Sequence, residues 1–372
     1  MKLLSQPGDG VAPLIRGIDV AKKSIEIVIF RFDRPEVERA LKKAASRGVF
    51  IHALIAYTNR GGEKNLRKLE MRLLAAGVSV ARTAGDLARY HDKLMIIDRK
   101  ILYLLAFNFT YLDIGHSRSF GLITKNRKLV QEAVRLFEAD TKRQPYTASF
   151  DSFVVSPVNA RRALAAFIKG AKKQLLIYDV RISDPAMARL LGERARAGVE
   201  IKIIGRLTRR AINLDVRRLA RLRLHTRTII RDRSAVFLGS QSLRALELDA
   251  RREVGVIFRD ARVVNNIIKT FDEDWESGLT GESPAEETTA IHEPLPAAKT
   301  AKKVAKAVAG ELPPVSSVLE RIVTEAVGKD VELHVDCDEV EKTLKQAVKG
   351  AVRDAVEDIV QQVADQKGIG KP

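Results

Sequence analysis

Short apolar runs alternate with amphipathic stretches along the chain, and the order of these blocks is written twice. Ser24 to Phe30 is a largely apolar run of strand length, the pattern of a strand buried on both faces. Pro35 to Ser46 reads as a helix, with proline at its start and Gly48 just past its end. Val49 to Ile55 predicts the next strand, and Glu63 to Ala76 a helix closed by Gly77. Strands over Val78–Arg82, Lys93–Ile97, Ile101–Leu105 and Ser119–Thr124 follow, then a helix over Lys128–Lys142. The second series runs Gln174–Val180, a helix at Pro185–Ala197, Val199–Gly205 and an arginine-rich helix. Strands at Arg227–Ile230, Ala235–Leu238 and Glu253–Phe258 then lead to a helix over Val263–Gly278. Alternating strands and helices predict an α/β protein of two pseudo-symmetric halves, each a mixed sheet flanked by helices.

The blocks correspond residue by residue. Ala21 to Phe30 aligns with Ala171 to Val180, Arg31–Pro35 with Arg181–Pro185, and Arg47-Gly48-Val49 with Ala197-Gly198-Val199, always 150 residues apart. Further on the offset is 134, so the first half carries about sixteen extra residues, placed around Thr58 to Leu74. Two copies of this length predict a duplicated domain rather than a solenoid. The halves are expected at 1–145 and 146–280, with a proline-bearing linker at 281–314 and a helical tail at 315–372. In the tail, Val340, Leu344, Val348, Val352, Val356, Ile359 and Val363 form an amphipathic stripe, expected to pack on a protein partner or on the body.

Charge and cysteine content narrow the setting. The net charge is +18, yet residues 281–372 hold 12 Lys+Arg against 17 Asp+Glu, a net of −5, which leaves +23 on residues 1–280. Ten arginines lie between Arg206 and Arg233, opposed by Asp215 and Asp232. Such a run is either a solvated face or a funnel that attracts anions, including nucleic acid and acidic phospholipid headgroups. The single Cys337 allows no intrachain disulfide, and no apolar stretch reaches signal-peptide or membrane-spanning length. A cytoplasmic protein is expected, peripheral to the inner membrane face at most, with a monomeric body.

The candidate chemistry sits at equivalent points of the repeat. His91-x-Lys93-x-x-x-x-Asp98 and His225-x-Arg227-x-x-x-x-Asp232 share one spelling. Residues i and i+2 of a strand point to the same face, so each histidine and its cation would enter the same pocket. An imidazole beside a fixed cation supplies a nucleophile or proton carrier next to an oxyanion clamp, as a phosphate ester requires. Asp98 and Asp232 suit pairing with basic groups or supporting strand ends better than acting as bases.

On these residues the chain resembles the phospholipase D superfamily, marked by a duplicated His-x-Lys-x-x-x-x-Asp motif on two α/β halves. The resemblance spans about residues 10–278. The family motif continues with Gly-Ser-x-Asn and then Asn-x-Glu-x-Gly. The second half keeps Gly239, Ser240, Glu253 and Gly255, with Ser242 and Arg251 where asparagine is usual. The first half keeps Lys93 and Asn108, with Leu105-Ala106 for the Gly-Ser pair and Ser117 and Ser119 at the Asn and Glu positions. The resemblance implies a phosphohistidine intermediate, one histidine attacking phosphorus while the other protonates the leaving alcohol. It implies a catalytic set of His91, Lys93, Asp98, His225, Arg227, Asp232 and Glu253, with Glu253 orienting His225. Lys93, Asn108, Arg227, Ser240 and Ser242 would bind the phosphate, with no metal and no cofactor. Family precedent leans to His91 as nucleophile, whereas the retained Glu253 argues for His225.

The leading expectation is a phosphodiesterase or phosphatidyltransferase acting on phospholipid phosphodiesters. The alternatives are a nuclease of the same superfamily, favoured by the basic body, and a degenerate phosphate-binding protein, favoured by Arg227, Ala106 and Ser119. Elsewhere, His52 reads as a core or edge residue, His116 as a surface residue near the first site, and Trp275 as packing. His292 and His334 fall in linker and tail, and nothing near them has metal-ligand spacing.

Overall fold

Leu94 to Ile97 explains much of the architecture. Its four residues are all buried, and alternate ones enter different cores: Leu94 and Ile96 one, Met95 and Ile97 another. Leu102/Leu104 and Tyr103/Leu105 divide in the same way, as do Leu176/Tyr178 and Leu175/Ile177 in the second half. A strand with two buried faces needs cover on both sides, and the fold supplies it in layers.

The computed structural model of the chain describes residues 1–57, 63–208 and 214–280. All of these lie in one compact unit, Met1–Ala285. The first sheet runs in the order Lys2–Gln6, Ser117–Thr124, Ile101–Leu105, Leu94–Ile97, Ser24–Ile29, Phe50–Ile55, Ser79–Arg82. The second repeats it as Phe153–Ser156, Arg251–Phe258, Ala235–Gly239, Arg227–Arg231, Gln174–Ile182, Glu200–Leu207, Asp215–Arg218, with Leu279–Thr280 added at the far edge. Both sheets are mixed: Ser24–Ile29, Phe50–Ile55 and Ser79–Arg82 are parallel, and the remaining pairs of the first sheet's seven-strand path are antiparallel.

A central core joins inner faces of both sheets to the helices Arg127–Lys142 and Ala261–Glu276. Outer cores lie under helices Ala12–Asp19, Pro35–Ser46 and Glu63–Leu74 in the first half, and under Ala160–Lys169 and Pro185–Arg196 in the second. The two central helices begin on side-chain caps: Asn126 accepts from the Leu129 N–H, and Asp260 from the Val263 N–H.

The extra first-half helix Glu63–Leu74 falls where only the stretch between Leu207 and Asp215 exists in the second half. The arginine-rich helix expected after Gly205 is corrected. Its described residues form the strands Asp215–Arg218 and Arg223–Leu224, the first parallel to Glu200–Leu207. Leu214/Val216 and Leu222/Leu224 alternate with charged residues at period two, so the arginines mark strand faces rather than a helix face. Residues 209–213 lie outside the described residues, as do Thr58–Gly62, the linker at 281–314 and the tail at 315–372.

Paired polar bridges tie the halves together across the central layer. Arg118 donates to Asp274 at 2.7 Å and to the Gln6 carbonyl at 3.1 Å, while the Tyr178 hydroxyl donates to the same carboxylate at 2.7 Å. The counterpart Arg252 pairs with Asp140 at 2.9 Å and donates to the Ser156 carbonyl at 3.1 Å. Removing one partner of a buried ion pair strands the other charge. Arg252→Met is therefore expected to cost about 3–5 kcal/mol, measured as a lowered urea midpoint at unchanged slope.

Candidate active site

Each motif histidine follows a short strand that pairs with the other half. Arg89–Tyr90 pairs in parallel with Arg251–Arg252, and the His91 N–H donates to the Arg252 carbonyl at 2.8 Å. Reciprocally, Arg223–Leu224 pairs with Ser117–Arg118, and the His225 N–H donates to the Arg118 carbonyl at 3.0 Å. These exchanged two-residue strands bring both imidazoles, each 7% exposed, to the seam between the halves.

The side chains of the two motifs are held differently. Nδ1 of His91 lies 2.9 and 3.0 Å from the two Glu253 oxygens, so the retained glutamate orients His91 and not His225, as a family comparison within one half had implied. The exchange of edge strands is the reason: Glu253 lies one residue beyond Arg252, which carries His91. Lys93, fully buried, donates from Nζ to the His91 carbonyl and lies 5.3 Å from the Phe30 ring centre. Arg227 donates from Nη1 to the His225 carbonyl at 2.6 Å and from Nε to the Ser242 hydroxyl at 3.3 Å. Ser240 is buried, its hydroxyl accepting from the Val254 N–H at 3.2 Å. Asn108 donates from Nδ2 to Asp113 at 2.7 Å and from its backbone N–H at 2.8 Å.

Asp98 and Asp232 are corrected out of the site. Asp98 accepts from the backbone N–H groups of Lys22, Lys23 and Ser24, and Asp232 from those of Lys172, Lys173 and Gln174. Each ends its motif strand at positive φ and clamps the start of the neighbouring strand. Sequence reasoning passed over two carboxylates. Asp113 and Glu247, 134 residues apart, sit in the short helices Tyr111–Gly115 and Ala245–Asp249. Glu247 accepts from the Ser242 N–H at 2.7 Å, as Asp113 does from Asn108, and Asp113 also lies 3.6 Å from His225 Nε2 and pairs with Arg223. Their shared repeat spacing was the available signal.

Of the arginine run, Arg223 and Arg227 reach the site. Arg217 instead covers Trp275 at 4.3 Å from its ring, Arg231 donates to the Phe167 carbonyl, and Arg233 pairs with Asp272. Trp275 thus packs, and His52 lies between the Phe50 and Phe137 rings, away from the site. His116 packs at a tilt against the Tyr111 ring, with centres 4.9 Å apart, and His292 and His334 lie outside the described residues. Among the described residues no group of three or more His, Cys, Asp or Glu is placed to hold a metal ion.

Burial dominates the electrostatics. It pushes His91 well below the usual imidazole value, helped by Lys93, Arg227, Arg251 and Arg89. Burial lowers His225 likewise, with Asp113 opposing and Arg223, Arg227 and Lys93 assisting. Lys93 falls to about 7 through burial, opposed by Glu253 and assisted by Arg227. Glu253 rises to about 8 through burial, against the pull of Lys93. Lys93 acts on His225 and Arg227 on His91, so the two motifs share one electrostatic site. Such a site gains from an incoming anion, which restores charge balance to buried cations.

Two duplicated α/β halves that cross-thread a histidine and a cation each define a protein of the phospholipase D superfamily. Within it, the chain belongs to the family described as cardiolipin synthase, PLD-like domain, which matches residues 14–141 and 164–275. The mitochondrial cardiolipin hydrolase of Canis lupus familiaris is 31% identical over 134 residues, 35% of this chain and 48% of that protein. The chain spans about half the length of that relative and of the human one, at 48% each. Two crystal structures share the fold. Polyphosphate kinase from Porphyromonas gingivalis has a TM-score of 0.64 at 20% identity, over 78% of this chain and 53% of that one. Phosphatidylserine synthase from Haemophilus influenzae Rd KW20 has a TM-score of 0.61 at 12% identity, over 83% of this chain and 93% of that one. Among the described residues no helix is long and apolar enough to cross a membrane.

The raised Glu253 sets a pH dependence. Its contribution to stability is fully present below the ordinary value of 4.5 and is lost as pH rises through about 8. Lys93 works in the other direction above about pH 7, where the unfolded chain holds a proton that the folded site has released. Glu253→Gln is expected to flatten the decline of Tm between pH 4.5 and 8, read by thermal unfolding across that range.

Proposed function

We propose that the chain is a phospholipase D-type phosphodiesterase or phosphatidyltransferase, acting on phospholipid phosphodiesters through a phosphohistidine. The observation that carries this reading is the His91–Glu253 contact across the halves, beside Lys93 and Arg227. A carboxylate on Nδ1 fixes the ring and leaves Nε2 as the nitrogen for attack on phosphorus. Burial favours neutral His91, the form a nucleophile needs. Family precedent and the retained glutamate now favour the same residue.

In the first step His91 Nε2 bonds to phosphorus, and the phosphorus–oxygen bond to the leaving alcohol breaks. His225 gives that oxygen its proton, while Glu253 holds the His91 ring through Nδ1. In the second step His225 takes a proton from water or an acceptor alcohol, whose oxygen displaces His91. Lys93 and Arg227, with Asn108, Ser240 and Ser242, are the groups assigned to the phosphate oxygens, where cationic donors act most strongly in a dry site. Arg227 carries a planar fork in place of an ammonium and so presents its N–H groups over a wider span. The halves are taken as 1–145 and 146–280, the body as a monomer, and the protein as cytoplasmic with peripheral contact to an anionic bilayer. The charge of +23 on residues 1–280 also favours nucleic acid as a second substrate class.

Wild-type protein quenched in acid-free denaturant during turnover of a chromogenic phosphodiester is expected to carry a base-stable, acid-labile phosphorus adduct. His91→Ala should abolish the adduct, and His225→Ala should slow turnover by about 10²–10⁴-fold. Headgroup release from anionic vesicles, set beside cleavage of single- and double-stranded DNA, distinguishes the two substrate classes. No adduct and no turnover of either substrate would leave only anion binding.

A further inference from the structure

The pseudo-twofold that relates the halves is broken at one functional position. Glu253 serves His91, and its counterpart 134 residues earlier is Ser119. By the same symmetry Ser119 belongs beside His225. Its hydroxyl and His225 Nδ1 are both buried, and neither has a hydrogen-bond partner among the described residues. An imidazole that must give and take a proton is left without the carboxylate its twin possesses.

A different carboxylate approaches from the short helix Tyr111–Gly115. Asp113, 3% exposed, places Oδ2 at 3.6 Å from His225 Nε2. Its orientation is over-determined: Asn108 donates to it from backbone and side chain, and Arg223, from the strand that delivers His225, pairs with its other oxygen. The second half shows what this position does when it has only a structural duty. Glu247 caps the Ser242 N–H and pairs with Arg244 and Arg251, with no histidine among its partners in the described residues. Asp113 therefore performs the same loop-capping duty and one more.

We propose that Asp113 is the positioning carboxylate of His225, supplying from a different element, and at Nε2 rather than Nδ1, the negative charge lost at Ser119. The inference rests on the reading of His225 as the proton carrier. Burial and three cations, Arg223, Arg227 and Lys93, lower the proton affinity of His225, and Asp113 is the group that opposes them. The two histidines are thereby specialised: a neutral ring braced through Nδ1 for attack, and a ring paired with an anion for proton transfer. The carboxylate at position 113 is drawn down to about 2, burial acting against and His225 and Arg223 for ionisation, so it stays charged throughout the working range.

Asp113→Asn removes the charge and keeps an oxygen for the Asn108 donors, which separates the two duties. With ¹⁵N-labelled histidine, NMR titration of the full chain is expected to show the His225 pKa falling by about one to three units in Asp113→Asn, with His91 little changed. Toward a phosphodiester, kcat should drop by about a hundredfold with KM nearly constant. Adding Ser119→Glu to Asp113→Asn should restore both readings in part, since it rebuilds the symmetric carboxylate. Asp113→Ser serves where Asp113→Asn does not fold. An unchanged His225 titration in a folded variant overturns the proposal. If wild type turns over no diester while His225 still follows residue 113, the functional reading fails and the pairing stands.

Discussion

Everything in the site depends on the exchange of two short strands between the halves. Arg89–Tyr90 and Arg223–Leu224 are each two residues long, and each is held on a strand of the opposite half. Alone, a pairing of this length would be marginal. It persists because Arg118–Asp274 and Arg252–Asp140 fix the strands that receive it, and a single apolar layer lies beneath both. The histidines are thus placed by long-range contacts rather than by local conformation.

That distinction governs what could be read from the sequence. Strands such as Ile101–Leu105 and helices such as Pro35–Ser46 match their expected limits, because local apolar period and end signals decide them. The repeat revealed the two-sheet architecture, since corresponding blocks must fold alike. The short elements were invisible: Arg89–Tyr90, Arg223–Leu224 and the five-residue helices contain too few residues to show a period. The arginine-rich run misled because charge density masked a period-two alternation in Leu222 and Leu224.

The site was legible in its parts and not in its connections. His91, Lys93, His225 and Arg227 could be named from the repeated motif, and Glu253 from the family resemblance. Which histidine Glu253 meets could not, because that contact crosses between the repeats. Asp98 and Asp232 share the motif's spelling, yet the motif strand carries them away to its far end, where they bind backbone N–H groups. Asp113 lies outside the motif, so its repeat spacing with Glu247 marks the position, and its contact with His225 appears only in space.

The cross-threading also bears on how such a molecule could have arisen. One half standing alone would have a histidine-bearing strand with nothing to receive it, and an edge with nothing to capture. Two identical halves could satisfy each other only by trading those strands about a twofold axis. Fusion into one chain frees each copy to diverge, and Ser119 against Glu253, or Lys93 against Arg227, are differences that a symmetric pair of identical subunits could never display.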